Sequence, residues 1–253
     1  MTEFVADRKK LVTFLKMFGK DIQDIKLKVR DDDIEASVGT MTHYLRARLA
    51  ITDGESGDIV INDLPKVLTF LQGGKHDDIS ILQESIGQTL YVTCGTSKIH
   101  LPSRCYVGSQ KDVSLMERMV KQAEDNMWTS WISFPLSHTG TTNSGNLKEI
   151  AQMSKVVGDK ISCKMDFYIE ESEILFRGGK SVKGQMFVKI PMQNSSGPPN
   201  YCTSTFGYWL PKLMDSLPSG EVDLFTGPDT VLVIKQDDNY LLIALDQDYE
   251  EEG

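Results

Sequence analysis

The chain has 253 residues, of which 40% are hydrophobic and 25% charged, a composition typical of a globular protein with one large domain or two ordinary ones. No apolar run approaches the roughly 18 residues that cross a bilayer, and Met1-Thr2-Glu3-Phe4 does not open a signal peptide, so we expect a cytoplasmic protein with no membrane partner. The net charge of −9 argues against a nucleic-acid partner unless the cations are gathered on one surface.

The first half of the chain is predicted to alternate helices and strands. Apolar residues recur at helical spacing in Lys10–Phe18 and again from Leu64 to Leu71, where Pro65 suits the first turn and Gly73 the end of a helix. The strand-like runs are Ile25–Val29, Ile34–Val38, Ile79–Leu82, Thr89–Cys94 and Lys98–Leu101. Turn residues separate these runs, which favours antiparallel hairpins.

The second half of the chain repeats this order of elements. Leu64-Pro65-Lys66 recurs as Leu210-Pro211-Lys212 at an offset of 146, and apolar residues follow at helical spacing in both copies. The other elements are a helix over Leu147–Val157 and strands over Cys163–Ile169, Ile174–Phe176, Val222–Phe225, Val231–Ile234 and Tyr240–Leu245. We therefore predict domain 1 at residues 1–104, a charged and partly helical interdomain linker at residues 105–126, and domain 2 at residues 127–253.

Lysines lie on the polar faces of all four predicted helices, whereas acidic residues collect in turns and at the end of the chain. The lysines are Lys9, Lys16 and Lys20 on the first helix, Lys66 on the second, Lys148 and Lys155 on the third, and Lys212 on the fourth. If these helices line a channel, the lysines would contact DNA phosphates without reading sequence. Ordinary amphipathic helices also carry lysine on the wet face, so this interpretation stays open.

The chain shows no motif for catalysis, a metal or a cofactor. Gly178-Gly179-Lys180-Ser181 resembles the end of a phosphate-binding loop, but the position that requires the first glycine of that motif is Ile174. The cysteines and histidines are scattered, without a CxxC pair or zinc-like spacing: Cys94, Cys105, Cys163, Cys202, His43, His76, His100 and His138. We therefore expect reduced thiols, no metal, no cofactor and no enzymatic activity.

Three segments, together with the order of the elements, carry a resemblance to a known family. They are Ile59–Pro102, Ser37–Leu49, and the end of the chain from Thr230 to Gly253. The first is similar to domain 1 of bacterial β clamps, and the last is similar to the end of the eukaryotic and archaeal clamps. The chain thus resembles the DNA sliding clamps, which include proliferating cell nuclear antigen and the clamps of large phages.

The resemblance implies an α+β DNA clamp fold of two tandem similar domains, each with two inner helices and outer antiparallel sheets. A chain with two such domains implies a homotrimeric ring of six domains, which encircles double-stranded DNA independently of its sequence. The implied protein partners are a DNA polymerase and a clamp loader, and the implied role is that of a processivity factor. The divergence from cellular forms favours a phage origin and the cytoplasm of an infected bacterium.

The resemblance also implies two protein-binding surfaces. A pocket for the peptide tails of partners corresponds to Met41, His43, Tyr44, Thr230, Val231 and Leu245. A subunit interface corresponds to edge strands at Thr96–Leu101 and Glu173–Gly179, with Lys98, Ile99, His100, Ile174, Leu175, Phe176 and Arg177 as its residues. Any residue of the pocket could instead belong to the core, and the segment with Trp128 and Trp131 is the next candidate for a partner surface.

Two other functions stay open on the sequence alone. The chain could be a replication or transcription accessory factor that works as a monomer or dimer without closing a ring. It could also be an enzyme whose site has no recognised motif. The mass of the native assembly would separate the ring from the first alternative, and a turnover screen with nucleotides and DNA would test the second.

Overall fold

The computed structural model divides the chain into two compact units. Unit 1 comprises Met1–Val38 and Leu45–Gln110, and unit 2 comprises Gly39–Tyr44 and Lys111–Gly253. The structure describes residues 1–18, 22–40, 42–105, 110–157, 163–168, 170–178, 185–198, 202–206, 209–228 and 230–245. Within these ranges no helix is long and apolar enough to cross a membrane.

Unit 1 has two helices and antiparallel strands. Its elements in chain order are β1 Thr2–Asp7, α1 Arg8–Lys16, β2 Ile25–Val29, β3 Asp33–Gly39, β4 His43–Ala50, β5 Asp53–Gly54, β6 Gly57–Ile61, α2 Leu64–Gly73, β7 Asp78–Gln83, β8 Leu90–Cys94 and β9 Ser97–Leu101. One sheet has the strand order β5-β1-β7-β8-β9, and four further strands lie in the order β6-β2-β3-β4. Helices α1 and α2 pack against each other.

Unit 2 begins with an additional helix and a short hairpin. Its elements are α3 Gln110–Asp125, β10 Ser130–Trp131, β11 Phe134–Pro135, β12 His138–Asn143, α4 Ser144–Val157, β13 Cys163–Tyr168, β14 Glu173–Gly178, β15 Met186–Pro191, β16 Gln193–Ser196, β17 Cys202–Phe206, α5 Trp209–Asp215, β18 Glu221–Thr226, β19 Leu232–Gln236 and β20 Tyr240–Ala244. Five strands lie in the order β16-β12-β18-β19-β20, and a four-stranded sheet has the order β17-β13-β14-β15. Helices α4 and α5 pack against each other.

The two units share one topology, which confirms the predicted repeat. The order β5-β1-β7-β8-β9 in unit 1 matches β16-β12-β18-β19-β20 in unit 2, and β6-β2-β3-β4 matches β17-β13-β14-β15. In both units one helix follows the first long strand, and a second helix precedes the last three strands. The predicted fold, α+β with mostly antiparallel sheets and few helices, is therefore what the chain forms.

Local sequence explains where the helices of unit 1 begin. Asp7 caps α1, since its Oδ1 accepts a hydrogen bond of 2.8 Å from the backbone N–H of Lys10. Asp63 caps α2 in the same way, and Pro65 occupies its first turn, where a missing N–H costs no hydrogen bond. Phe14 is buried and meets Phe18 edge to face at 5.4 Å between ring centroids, which ties α1 into the core.

The prediction that Glu173–Gly179 forms an edge strand is wrong. Strand β14 pairs with β13 on one side and with β15 on the other, so β15 takes the edge of this sheet among the described strands. Ile174 and Phe176 on β14 are fully buried and cannot line a subunit interface. The sequence also predicts a strand at Gln185–Val188 after a hairpin turn at Gly178–Ser181, and the structure pairs this strand, β15, with β14.

Most of the segment predicted as an interdomain linker is the helix α3. Met116, Val120 and Ala123 on one face of α3 are buried in unit 2. The charged residues that suggested a linker, such as Glu117 and Arg118, lie on the exposed face of the same helix. One face of this helix therefore packs in the core of unit 2, and its other face is exposed.

Candidate nucleic-acid interface

Helix α1 buries one face and exposes lysine on the other. Leu11, Phe14 and Leu15 are at most 1% exposed, whereas Lys9 and Lys16 are exposed. Neither of these lysines forms an ion pair with a residue that the structure describes. Lys20, which was predicted to extend the same stripe, lies outside the described residues. The exposed face of α1 is therefore positively charged and available to an anionic ligand.

Helix α2 carries a lysine that is paired within the helix. The ammonium group of Lys66 lies 2.5 Å from Oδ2 of Asp63, the residue that caps the helix. The hydrogen bond from Lys66 lowers the pKa of the Asp63 carboxyl below its usual value. The side chain of Lys66 is 70% exposed, so a phosphate could compete with Asp63 for it.

The helices of unit 2 repeat this arrangement. Leu147 and Ile150 on α4 and Leu210 on α5 are fully buried. Lys212 is exposed, Lys148 is half-buried, and the exposed Lys155 places Nζ 3.1 Å from Oδ2 of Asp215 on α5. The described lysines of the predicted set thus lie on four helices, which pack as one pair in each unit. Flexible ammonium groups of this kind suit phosphate contact and carry no information about base sequence.

The predicted peptide pocket is largely buried. Tyr44 and Val231 have relative exposures of 0% and 3%, and Thr230 is also buried. Leu245 is half-buried, and its backbone N–H donates to the carbonyl of Thr42 at 2.9 Å. Met41 lies outside the described residues. Tyr44 and Val231 are therefore core residues here, which is the alternative that the sequence left open, and no exposed pocket is formed by the described members of this set.

His43 precedes the buried Tyr44, and the pKa of its side chain is shifted. Its Nδ1 is 3.0 Å from Oγ1 of Thr40 and 3.1 Å from Oγ1 of Thr42. Burial disfavours the charged imidazolium and lowers the pKa of His43 from 6.5 to about 4. The ring is therefore neutral at pH 7, which fits a structural position better than a charged contact to a partner.

The first elements of unit 2 cover the predicted pocket, a feature that sequence reasoning missed. Tyr44, Val231, Val233, Leu241 and Ile243 form one apolar cluster with Met116, Val120, Ala123, Trp128, Trp131 and Leu136. Trp128 also stacks on Phe225 at 6.1 Å. The signal was present in α3, where apolar residues recur at helical spacing from Val113 to Ala123, but the dense charges of its other face suggested a linker.

Strands β9 and β15 are two of the strands that end a sheet among the described residues. Strand β9, which was predicted to lie at a subunit interface, ends the first sheet of unit 1, with Lys98 and His100 exposed and Ile99 half-buried. Strand β15 ends the four-stranded sheet of unit 2 and exposes Phe187 and Lys189. The remaining predicted residues lie on the interior strand β14, where Leu175 and Arg177 are half-buried and Arg177 is ion-paired with the buried Asp166.

A scan of protein-family models and a search of curated proteins found no match to this sequence. Solved structures are similar to it over nearly its whole length. PCNA from Thermococcus kodakaraensis matches with a TM-score of 0.67 at 15% identity, over 97% of this chain and 99% of that one. PCNA from A. fulgidus, bound to the C-terminal region of FEN-1, matches with a TM-score of 0.71 at 10% identity, over 99% of this chain and 100% of that one.

The chain has the DNA sliding clamp fold. The Helicobacter pylori β clamp bound to a DNA ligase peptide shares this fold, with a TM-score of 0.64 at 10% identity over 99% of the present chain and 68% of its own. The chain thus spans the full length of the PCNA chains and about two thirds of the β clamp chains that it matches. In the described part of this clamp-fold chain, no group of three or more histidine, cysteine, aspartate or glutamate side chains is placed to hold a metal ion.

Proposed function

We propose that the chain is one subunit of a homotrimeric sliding clamp, which encircles duplex DNA and tethers a DNA polymerase without catalysing a reaction. The observation that carries this proposal is the duplicated unit, in which both packed helices carry lysines that are exposed or half-buried. Three chains of two units supply six such helix pairs for one ring. A clamp loader is the partner that opens this ring around DNA.

The DNA contact depends on charge alone. The four test residues are Lys9 and Lys16 on α1 and Lys148 and Lys155 on α4. Replacing all four by glutamate reverses the charge of two helix faces. Since phosphate contacts release counterions, retention of the wild-type protein on DNA should fall steeply with salt and should not depend on sequence.

The experiment measures retention on a nicked circular plasmid after loading, because a ring slides off linear DNA. The matched control replaces Lys28, Lys121, Lys164 and Lys235 by glutamate, which changes the net charge equally but leaves α1, α2, α4 and α5 unchanged. We expect the helix variant to lose at least tenfold in retention and the control to stay within twofold of wild type. Equal losses in both variants would contradict a lysine-lined channel.

Assembly is proposed to occur by pairing of β9 of one subunit with β15 of the next. Both strands are open edges among the described residues, and unpaired edges pair readily with another chain. A head-to-tail contact of this kind closes a ring when the rotation between subunits permits. The first test is the native mass, which should be three times the chain mass of 28.3 kDa. A monomer or dimer would favour the accessory factor that closes no ring.

A proline on β9 tests this contact without disturbing the unit. In a hairpin with a two-residue turn, the flanking residues Cys94 and Ser97 form a hydrogen-bonded pair, and such pairs alternate along the strands. The backbone N–H of Lys98 therefore points away from β8, towards the open side. Lys98→Pro should yield folded monomers, whereas Lys98→Ala, which keeps the N–H, should stay trimeric. A trimeric Lys98→Pro protein would place the interface elsewhere.

Partner proteins are proposed to bind through short peptide tails. Two of the similar structures carry such ligands, namely the C-terminal region of FEN-1 on PCNA and a DNA ligase peptide on the β clamp. In this chain the pocket predicted from the resemblance lies within the apolar cluster of unit 2, where Tyr44 and Val231 are buried. A tail can bind at this pocket only if α3 moves. If α3 stays in place, the tail must bind to another surface.

A further inference from the structure

The two units share one topology but differ in how deeply the corresponding strands of one sheet are buried. Strand β8 of unit 1 alternates buried and half-buried residues, so one face of its sheet is packed and the other is partly open. Its counterpart in unit 2 is β19, in which Leu232, Val233 and Ile234 are all buried, and every residue of the adjacent strand β20 is buried as well. The part of this sheet formed by Leu232–Ile234 of β19 and by β20 is therefore apolar and covered on both faces.

The second face of this part of the sheet is covered by α3 together with Trp128, Trp131 and Leu136 of the same chain. The covered residues Val231, Val233, Leu241 and Ile243, together with Tyr44, form a surface that we call the apolar floor. Met116, Val120 and Ala123 of α3 are buried in one cluster with the floor. If α3 left, the part of the floor that it covers would become an exposed apolar patch of the kind that marks a protein-binding surface.

Several features of α3 and of the segment that follows it indicate that this helix is weakly held against the floor. A helix of 16 residues is marginal without tertiary contacts, and over residues 113–125, whose burial the structure describes, the buried side chains lie on one face of α3. Its last turn contains Asp125 and no basic residue, so the negative end of the helix dipole meets an acid. Three non-glycine residues with positive φ follow within one short stretch: Met127 at 52°, Trp128 at 58° and Ile132 at 57°.

We propose that α3 is a displaceable cover, which occupies the apolar floor in cis and competes there with an amphipathic helical peptide of a partner protein. The chemistry of the partner peptide follows from that of α3, which occupies the floor in this structure. The floor accepts apolar side chains spaced as Met116, Val120 and Ala123 are, at i, i+4 and i+7 of a helix, with a polar opposite face. This inference rests on the proposed function in one respect: if the chain is a sliding clamp, the partner is a replication protein.

The test uses a probe taken from the chain itself, since the partner is not identified. The probe is a fluorescein-labelled peptide of residues 110–126, and its control carries Met116→Ser and Val120→Ser. Its binding to the full-length protein is measured by fluorescence anisotropy. In the wild type the cis helix holds the floor at a high local concentration, so the probe should bind weakly.

Two independent substitutions weaken the cis helix. Val120→Ser removes a buried apolar side chain from α3, while the floor itself stays intact. Gly39→Ala acts from outside the helix, because a Cβ on Gly39 would lie 3.3 Å from Cα of Val113 and crowd the start of α3. Leu115→Ser is the matched control, because Leu115 is 46% exposed on the same helix.

We expect both weakened variants to bind the probe at least tenfold more tightly than the wild type and the Leu115→Ser variant. The serine-substituted probe should bind none of them. Hydrogen exchange of the wild type needs no variant and should show the amides of α3 exchanging at least tenfold faster than those of β19 and β20. Equal probe affinities together with exchange in α3 as slow as in β19 and β20 would overturn the inference. Neither measurement depends on DNA or on ring formation, so its outcome is separate from that of the clamp proposal.

Discussion

His43 should make the stability of unit 2 depend on pH over a defined range. Burial lowers the pKa of its ring from 6.5 to about 4 in the folded protein. In the unfolded chain the ring titrates near pH 6.5, so between that value and pH 4 only the unfolded state takes up the proton. The free energy of unfolding should therefore fall as the pH is lowered through this window and lose nothing more from His43 below it.

The size of this effect follows from the two pKa values. A difference between 6.5 and about 4 corresponds to about 3 kcal/mol of unfolding free energy. The substitution His43→Gln removes the titrating group but keeps a side chain that can bond to the hydroxyl groups of Thr40 and Thr42. The variant should therefore lack the part of the loss of stability between pH 7 and pH 4 that His43 contributes.

The assay is urea unfolding followed by tryptophan fluorescence, because Trp128, Trp131 and Trp209 all belong to unit 2. Carboxylates also titrate in this range, so the quantity of interest is the difference between wild type and His43→Gln at each pH. The exposed His100 in unit 1 provides the matched control substitution, His100→Gln. Parallel pH profiles for the wild type and His43→Gln would refute the reasoning.

Three further substitutions test the packing on which the proposals depend. Phe14→Ala should destabilise unit 1 by about 3–5 kcal/mol in chemical denaturation, because Phe14 is 1% exposed, and a loss below about 1 kcal/mol would contradict its core position. Gln83→Leu should cost about 1–3 kcal/mol in the same assay, since the Gln83 amide accepts from the Val60 N–H at 2.9 Å and donates to the Gln88 carbonyl at 2.9 Å; an unchanged midpoint would mean that water replaces it. Asp7→Ala should cost about 1 kcal/mol through loss of the α1 cap, whereas Asp7→Asn, which keeps an acceptor, should cost less; equal losses would contradict capping as the cause.

The local pattern of the sequence was sufficient to predict the repeated elements and the faces of the helices. The helix over Lys10–Phe18 was found at Arg8–Lys16, and that over Leu147–Val157 at Ser144–Val157. Each helix was predictable because apolar residues that recur every 3.6 positions identify the face that is buried. The same pattern places the lysines on the opposite, solvent-facing side. Cap residues such as Asp7 and Asp63 mark the starts through local hydrogen bonds.

Only the tertiary structure decided which strands are edges and which apolar residues are covered. Alternation along Glu173–Gly178 is compatible with an edge or an interior strand, since strand order depends on pairing between distant segments, and β15 turned out to be the outer neighbour. Tyr44 and Val231 are apolar whether they line a pocket or a core, and α3 determined that they are buried. Sequence periodicity identifies a face that avoids water, but only the arrangement of distant segments determines what covers that face.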